Sequence, residues 1–265
     1  MGRMNSTEPT PEMAELQDIL METARDIHSA LEAEGIPYYV LGGAVIGCMR
    51  IGRLVPWDDD IDIAVWSEDI PEINRVMIEE LDPDKYYYHV PSADTHPHVI
   101  AKCGDLERGL ADRNAPFIDL FPISAYPSKR LRAAFYWLFT WGNVGSVWAL
   151  DHFKSLTVHR ALKWIPSFFG RLAEMTVNKD SDLTTIVSTE FMDYIFPRGY
   201  YGEPVMHAFE DTEVPLPKET DAMLTHMFGD YMTPPPEDQR KGSGGFPCSA
   251  YKDYKLYGEN TGWEE

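Results

Sequence analysis

Positive charge is scarce in this chain of 265 residues. Lys and Arg number 23 against 43 Asp and Glu, for a formal net charge of −20. A surface of that sign repels phosphate backbones and anionic headgroups at long range. It excludes a general nucleic-acid binder and a lipid binder that works by charge alone. Phosphate chemistry, if present, has to be local, through metal ions, backbone amides or a few cations. Cysteine is scarce as well. Cys48, Cys103 and Cys248 are odd in number, widely spaced and form no C-x-x-C pair, so neither a disulfide framework nor a thiolate zinc site is indicated. Reduced thiols and a cytoplasmic setting are expected. The polar N-terminus lacks the apolar stretch of a signal peptide, which points the same way. Internal repeats are absent.

Long hydrophobic runs are also few. Ala133 to Leu150 carries no charge, long enough to raise the question of a membrane span, but Gly142, Asn143, Gly145 and Ser146 interrupt it. A buried helical hairpin broken near Gly142 is the first expectation. A helix lying in the membrane interface is the second, because Trp137, Trp141, Trp148 and Trp164 crowd this region and tryptophan favours the headgroup level. That alternative gives peripheral membrane contact through residues 133–169. A true span is the third.

What is present reads as α/β in the first half. Met13, Leu16, Leu20, Ala24, Ile27 and Leu31 recur at helical spacing over Pro11 to Glu34, with Thr10 as cap and Gly35 as stop. Pro37 to Leu41, Ile61 to Trp66, Tyr86 to Val90, His98 to Lys102 and Phe117 to Ile123 read as strands. Pro71 to Leu81 reads as a helix, and Ala44 to Arg50 as a helical turn or two. The second half reads as helices separated by proline-rich turns, including a short one that ends at Gly229. The expected organisation is a core over 11–125, a helical extension over 126–240 completing the same domain, and a flexible tail over 241–265 after Gly242-Ser-Gly-Gly245.

Two stretches carry chemistry: Leu41-Gly-Gly-Ala-Val-Ile-Gly-Cys-Met-Arg50 and Val55-Pro-Trp-Asp-Asp-Asp-Ile-Asp-Ile63. Alternation along a strand puts Asp60 and Asp62 on one face and Ile61 and Ile63 on the other. Two adjacent carboxylates repel, and a divalent cation with hard oxygen ligands relieves this while leaving positions open for phosphates. The competing reading is a solvated acidic turn. Gly42 and Gly43, between a strand and a helix, suit a phosphate received on backbone N–H groups, although most Gly-Gly pairs are only turns. Asp119 lies among apolar residues, where an unpartnered carboxylate is costly. It needs a metal, a role as base, or a hydrogen-bonded place in the core. His89, His96 and His98 fit no ligand spacing and are expected at the surface.

The combination G-G-x-x-x-G-x-x-R, P-W-D-D-D-I-D-I and F-I-D-L-F-P resembles the LicD family, which includes bacterial phosphocholine transferases and fukutin-related proteins. The likeness resumes at Phe209-Glu-Asp211, Val214-Pro-Leu-Pro-Lys218 and Phe228-Gly-Asp-Tyr231. It implies an α+β fold, a nucleotidyltransferase-like mixed sheet flanked by helices with a helical extension. It implies transfer of a phospho-substituted alcohol from a CDP-linked donor to a glycan or glycolipid hydroxyl, dependent on Mg²⁺ or Mn²⁺. Asp60, Asp62 and Asp119 would be the metal and catalytic acids, Gly42 and Gly43 the phosphate turn, and Arg50 a donor-phosphate contact or a structural partner of the acids. Glu210, Asp211 and Asp230 are read as structural. Ala44 stands where many relatives carry a hydroxyl. Two other readings keep the fold: nucleotidyl transfer from an NTP to a small molecule, and a non-catalytic regulator of glycan phosphorylation.

Overall fold

The computed structural model describes residues 8–89, 97–101, 116–127, 175–186 and 194–240, with isolated positions between 131 and 172. Helix α1 (Pro11–Ala33) begins as its sequence demands: the Thr10 hydroxyl accepts the Met13 N–H at 3.2 Å, and Pro11 occupies the first turn. Its apolar stripe is buried through Leu20, Met21, Ile27 and Leu31, each worth about 1.5–3 kcal/mol by burial alone. Gly35, at φ +66, turns the chain into β1 (Tyr38–Leu41). There follow α2 (Gly42–Ile51), β2 (Ile61–Trp66), α3 (Ile70–Glu80), β3 (Tyr86–His89), β4 (His98–Ala101) and β5 (Phe117–Ala125). The later described segments are β6 (Leu183–Ile186), β7 (Ile195–Pro197), a hairpin of β8 (Val205–Phe209) and β9 (Thr212–Leu216), and α4 (Thr220–Phe228).

Among the described residues, seven strands form one mixed sheet, ordered β1-β2-β5-β4-β3, with β6 on β5 and β7 on β6. Of these described strands, β2 and β5 alone run parallel; the other pairs are antiparallel. Strand β5 is the spine. One edge pairs with β2 along Ile118–Ile123, and the other is divided between β4 at Phe117–Asp119 and β6 at Ile123–Ala125.

The period-two alternation sorts side chains into two apolar layers. Val40, Ile61, Ile63, Val65, Ile118 and Leu120 meet α1, α2 and α3 on one face. Tyr39, Leu41, Ala64, Phe121 and Ile123 meet Phe196, Tyr201 and Met223 on the other. Asp62 and Asp119 belong by alternation to this second face. The chain is therefore α+β. Gly47, the third glycine of the motif, has a packing reason: a Cβ there would lie 2.3 Å from the Arg53 carbonyl, where the chain returns across α2.

Two sequence expectations change. Helix α2 starts at Gly42, so both glycines of the pair form its first turn. The second half is not helices and turns alone: β6 and β7 extend the main sheet, and β8 and β9 form a hairpin whose strands pack against β1 and α2. Such strands are missed because their partners lie far away in sequence. Apart from isolated positions, the hairpin expected over 133–150 falls outside the described residues, as does the tail over 241–265. Among the described residues, no helix is long and apolar enough to cross a membrane.

Candidate active site

One row of residues crosses four strands. Leu41 on β1 is in register with Asp62 on β2, Asp62 with Asp119 on β5, and Asp119 with His98 on β4. Neighbouring strands lie about 4.8 Å apart, and residues in register share a face, so the two carboxylates stand side by side. Asp60 sits one residue ahead of β2, half-buried like Asp62.

The first turn of α2 lies against these acids. Gly42 has φ +64, and a Cβ there would approach Asp62 Oδ2 to 3.0 Å. At Gly43 a Cβ would lie 2.7 Å from both oxygens of Asp58. The glycine pair is thus required by two carboxylates that close over the helix start, where N–H groups are without intrahelical acceptors. Asp58 is buried, and its Oδ2 has no hydrogen-bond partner. Burial first, then the neighbouring charges of Asp60 and Asp59, push its carboxyl up to about 8.

Sequence reasoning passed over three residues here. Asp58 is, by sequence, one member of the acidic run Asp58-Asp59-Asp60. Gln17, buried on α1, donates its side-chain amide to the carbonyls of Val55 at 2.9 Å and Asp58 at 2.8 Å. It pins the acid-bearing loop to the first helix. Its signal was a polar residue on the apolar stripe, four after Met13 and three before Leu20. The third is His98, expected at the surface. It is only 4% exposed, its Nδ1 is hydrogen-bonded to Asp119 Oδ1, and its ring meets Phe117 edge-on at 6.1 Å. Its signal is visible only in the sheet register. His96 lies outside the described residues.

Arg50 is not brought to the acid row. It lies in the last turn of α2, about 10–12 Å along the axis from the glycine pair at 1.5 Å per residue. Its guanidinium donates to the carbonyls of Tyr231 and Thr233, fixing the segment after α4. Of the acids read as structural, Asp211 pairs with Arg25. Asp230 accepts the Thr233 hydroxyl at 2.7 Å. Glu210 forms the β8–β9 turn at φ +54, with its N–H donated to the Gly52 carbonyl. Ala44 is 1% exposed within the apolar layer, so its missing hydroxyl leaves no gap at the acids. Trp57 and Trp66 each already face a guanidinium, Arg240 at 5.1 Å and Arg198 at 4.7 Å from the ring centres.

Among the described residues, no three His, Cys, Asp or Glu side chains are gathered closely enough to enclose a metal ion by themselves. The donor set nevertheless suits a hard cation of the Mg²⁺ kind. Such an ion takes one or two carboxylates and completes its shell with water and substrate phosphates. The unpartnered oxygen of Asp58 and the glycine cradle mark where charge compensation is missing.

Residues 35–157 match the family described as LicD/FKTN/FKRP, nucleotidyltransferase domain. Over 122 residues the chain is 43% identical to ribitol 5-phosphate transferase FKRP of Mus musculus and of Homo sapiens, a stretch covering 45% of this chain and 23% of those proteins. The chain thus matches about a quarter of the length of those relatives. Over 261 residues it is 23% identical to lipopolysaccharide cholinephosphotransferase LicD of Haemophilus influenzae, covering 86% of this chain and 94% of that one. Residues 35–157, which hold the whole row from Leu41 to Asp62, Asp119 and His98, are similar to the LicD/FKTN/FKRP nucleotidyltransferase domain.

Proposed function

We propose that the protein transfers a phospho-substituted alcohol, of the phosphocholine or alditol phosphate type, from a CDP-linked donor to a hydroxyl of a glycan or glycolipid. The observation that carries this reading is the side-by-side placement of Asp62 and Asp119 across parallel strands, against the glycine turn that opens α2. The names of the relatives, a ribitol 5-phosphate transferase and a cholinephosphotransferase, support the reaction class.

In this reading the sheet is nucleotidyltransferase-like, and Asp60, Asp62 and Asp119 would hold Mg²⁺ or Mn²⁺. That ion, when bound, supplies neutralisation of the donor diphosphate and of charge developing at phosphorus. The remaining work falls to the chain. The N–H groups of the first turn of α2 receive a donor phosphate oxygen, which Gly42 and Gly43 allow to approach closely. The acceptor oxygen attacks the phosphorus that bears the alcohol, the bond from that phosphorus to the bridging oxygen breaks, and CMP leaves with the electron pair. Asp119, whose Oδ1 is hydrogen-bonded to the buried His98, takes the hydroxyl proton. Arg50 enters as a strut between α2 and residues 231–233. Peripheral membrane contact through residues 133–169 belongs to the same reading for a lipid-linked acceptor, and liposome flotation tests it.

The decisive experiment is a screen of CDP-alcohols and NTPs for divalent-dependent release of CMP or pyrophosphate, run on the wild type and on Asp62→Asn. CMP release from a CDP-alcohol, lost in Asp62→Asn, is the expected result. Pyrophosphate release from an NTP would replace the donor assignment with nucleotidyl transfer. Turnover unchanged in Asp62→Asn would overturn the site.

A further inference from the structure

We infer that His98 is the positioning residue for Asp119: its Nδ1–H donates to one carboxylate oxygen and fixes the direction in which the other is presented to a divalent cation. The inference rests on the metal reading above and goes beyond it by naming a residue outside the acid set.

Three observations support it. Asp119 and His98 are in register on β5 and β4, so backbone pairing alone brings their side chains together. Both are almost wholly buried, at 5% and 4% exposure, so the contact is not one that bulk water competes away. The direction of the bond follows from chemistry. An ionised carboxylate only accepts, so the hydrogen between Asp119 Oδ1 and His98 Nδ1 belongs to the imidazole. The ring is itself held, edge-on against Phe117 at an interplanar angle of 87°.

A carboxylate at the end of a single rotatable Cβ–Cγ bond turns easily. With one oxygen tied to a buried ring packed edge-on against Phe117, the carboxylate plane is set before any cation arrives. Asp62 carries no such histidine in its register: its two Cα partners are Leu41 and Asp119. The row therefore pairs a carboxylate fixed by the second layer of side chains with one that is half-exposed. Partners of this kind typically contribute about 10–100-fold to metal affinity.

The test uses Mn²⁺ alone, titrated calorimetrically or by electron paramagnetic resonance into the full chain, with thermal unfolding as a check on folding. Wild type is expected to bind. His98→Leu, which keeps the volume and removes the donor, is expected to bind at least about tenfold more weakly. His98→Asn places an amide N–H near the position of Nδ1–H and is expected to recover affinity to within about threefold of wild type. Equal Mn²⁺ affinity in His98→Leu and wild type would overturn the inference. So would a His98→Asn variant that folds and binds more than about tenfold more weakly than wild type, and this arm stands even if the leucine variant does not fold. Failure of the wild type to bind Mn²⁺, with and without CDP, would overturn the metal reading itself and is distinguishable from both.

Discussion

The side-chain amide of Gln17 reaches the backbone carbonyl of Asp58 at 2.8 Å, across 41 positions of sequence. The acid-bearing loop is thereby suspended from α1, an element that precedes the family-matched residues 35–157. A second bond from the same amide, to the Val55 carbonyl, makes the hold two-point. Replacing Gln17 with Leu keeps the volume and leaves two buried carbonyls without their donor. The expected loss is about 2–3 kcal/mol in denaturant unfolding, together with a fall in turnover. A loss below about 0.5 kcal/mol would show that the loop supports itself.

Gly43 and Asp58 are expected to be energetically coupled. Gly43 has an ordinary helical backbone, so the cost of a methyl group there is the collision with the two Asp58 oxygens at 2.7 Å. Gly43→Ala should destabilise by about 1–3 kcal/mol. In an Asp58→Ala background the same change should be neutral or stabilising by up to about 1 kcal/mol, because alanine is the better helix former. A double-mutant cycle with no coupling would refute the contact.

Asp58 also predicts a pH dependence. Its carboxyl is pushed from 3.8 up to about 8, by burial first and then by Asp60 and Asp59. Over that window the folded protein keeps a proton that the unfolded chain has released. This group's contribution to stability is therefore full below the unfolded value and is lost as pH rises through about 8. In the presence of a chelator, the melting temperature of the wild type should fall more between about pH 5 and pH 8 than that of Asp58→Asn. Saturating Mg²⁺ should narrow the difference, since a nearby cation favours the charged form. Parallel profiles for the two proteins would remove Asp58 from this account.

Arg50→Gln separates a strut from a donor contact. Losing the bonds to Tyr231 and Thr233 should lower stability by about 1–3 kcal/mol and leave the donor KM within about twofold. A KM raised more than about tenfold at unchanged melting temperature would instead make Arg50 a phosphate ligand.

Where the sequence was legible, the information was local. Thr10, Pro11 and Gly35 delimit α1 within a residue or two, and the Ile-Asp-Ile alternation places β2 and the facing of Asp62. The illegible parts are relationships between distant segments. Nothing near His98 in sequence announces Asp119, because the pair exists only through the β4–β5 register. Asp58, Asp59 and Asp60 are equivalent in a linear pattern, whereas in the fold Asp58 is buried against Gly43 and its two neighbours are half-exposed. Leu183–Ile186 and Ile195–Pro197 are short strands whose partners are β5 and each other. Such pairing leaves little trace in a linear pattern of prolines and turns.

The division of one edge of β5 between β4 and β6 bears on how the protein could be dissected. A fragment ending at residue 125 would retain the acid row, yet strip β6 from Ile123–Ala125. Bare N–H and C=O groups beside an apolar face are a template for a second copy. Such a fragment is expected to self-associate, so residues 8–125 depend on the strands that follow them to remain a single copy in solution.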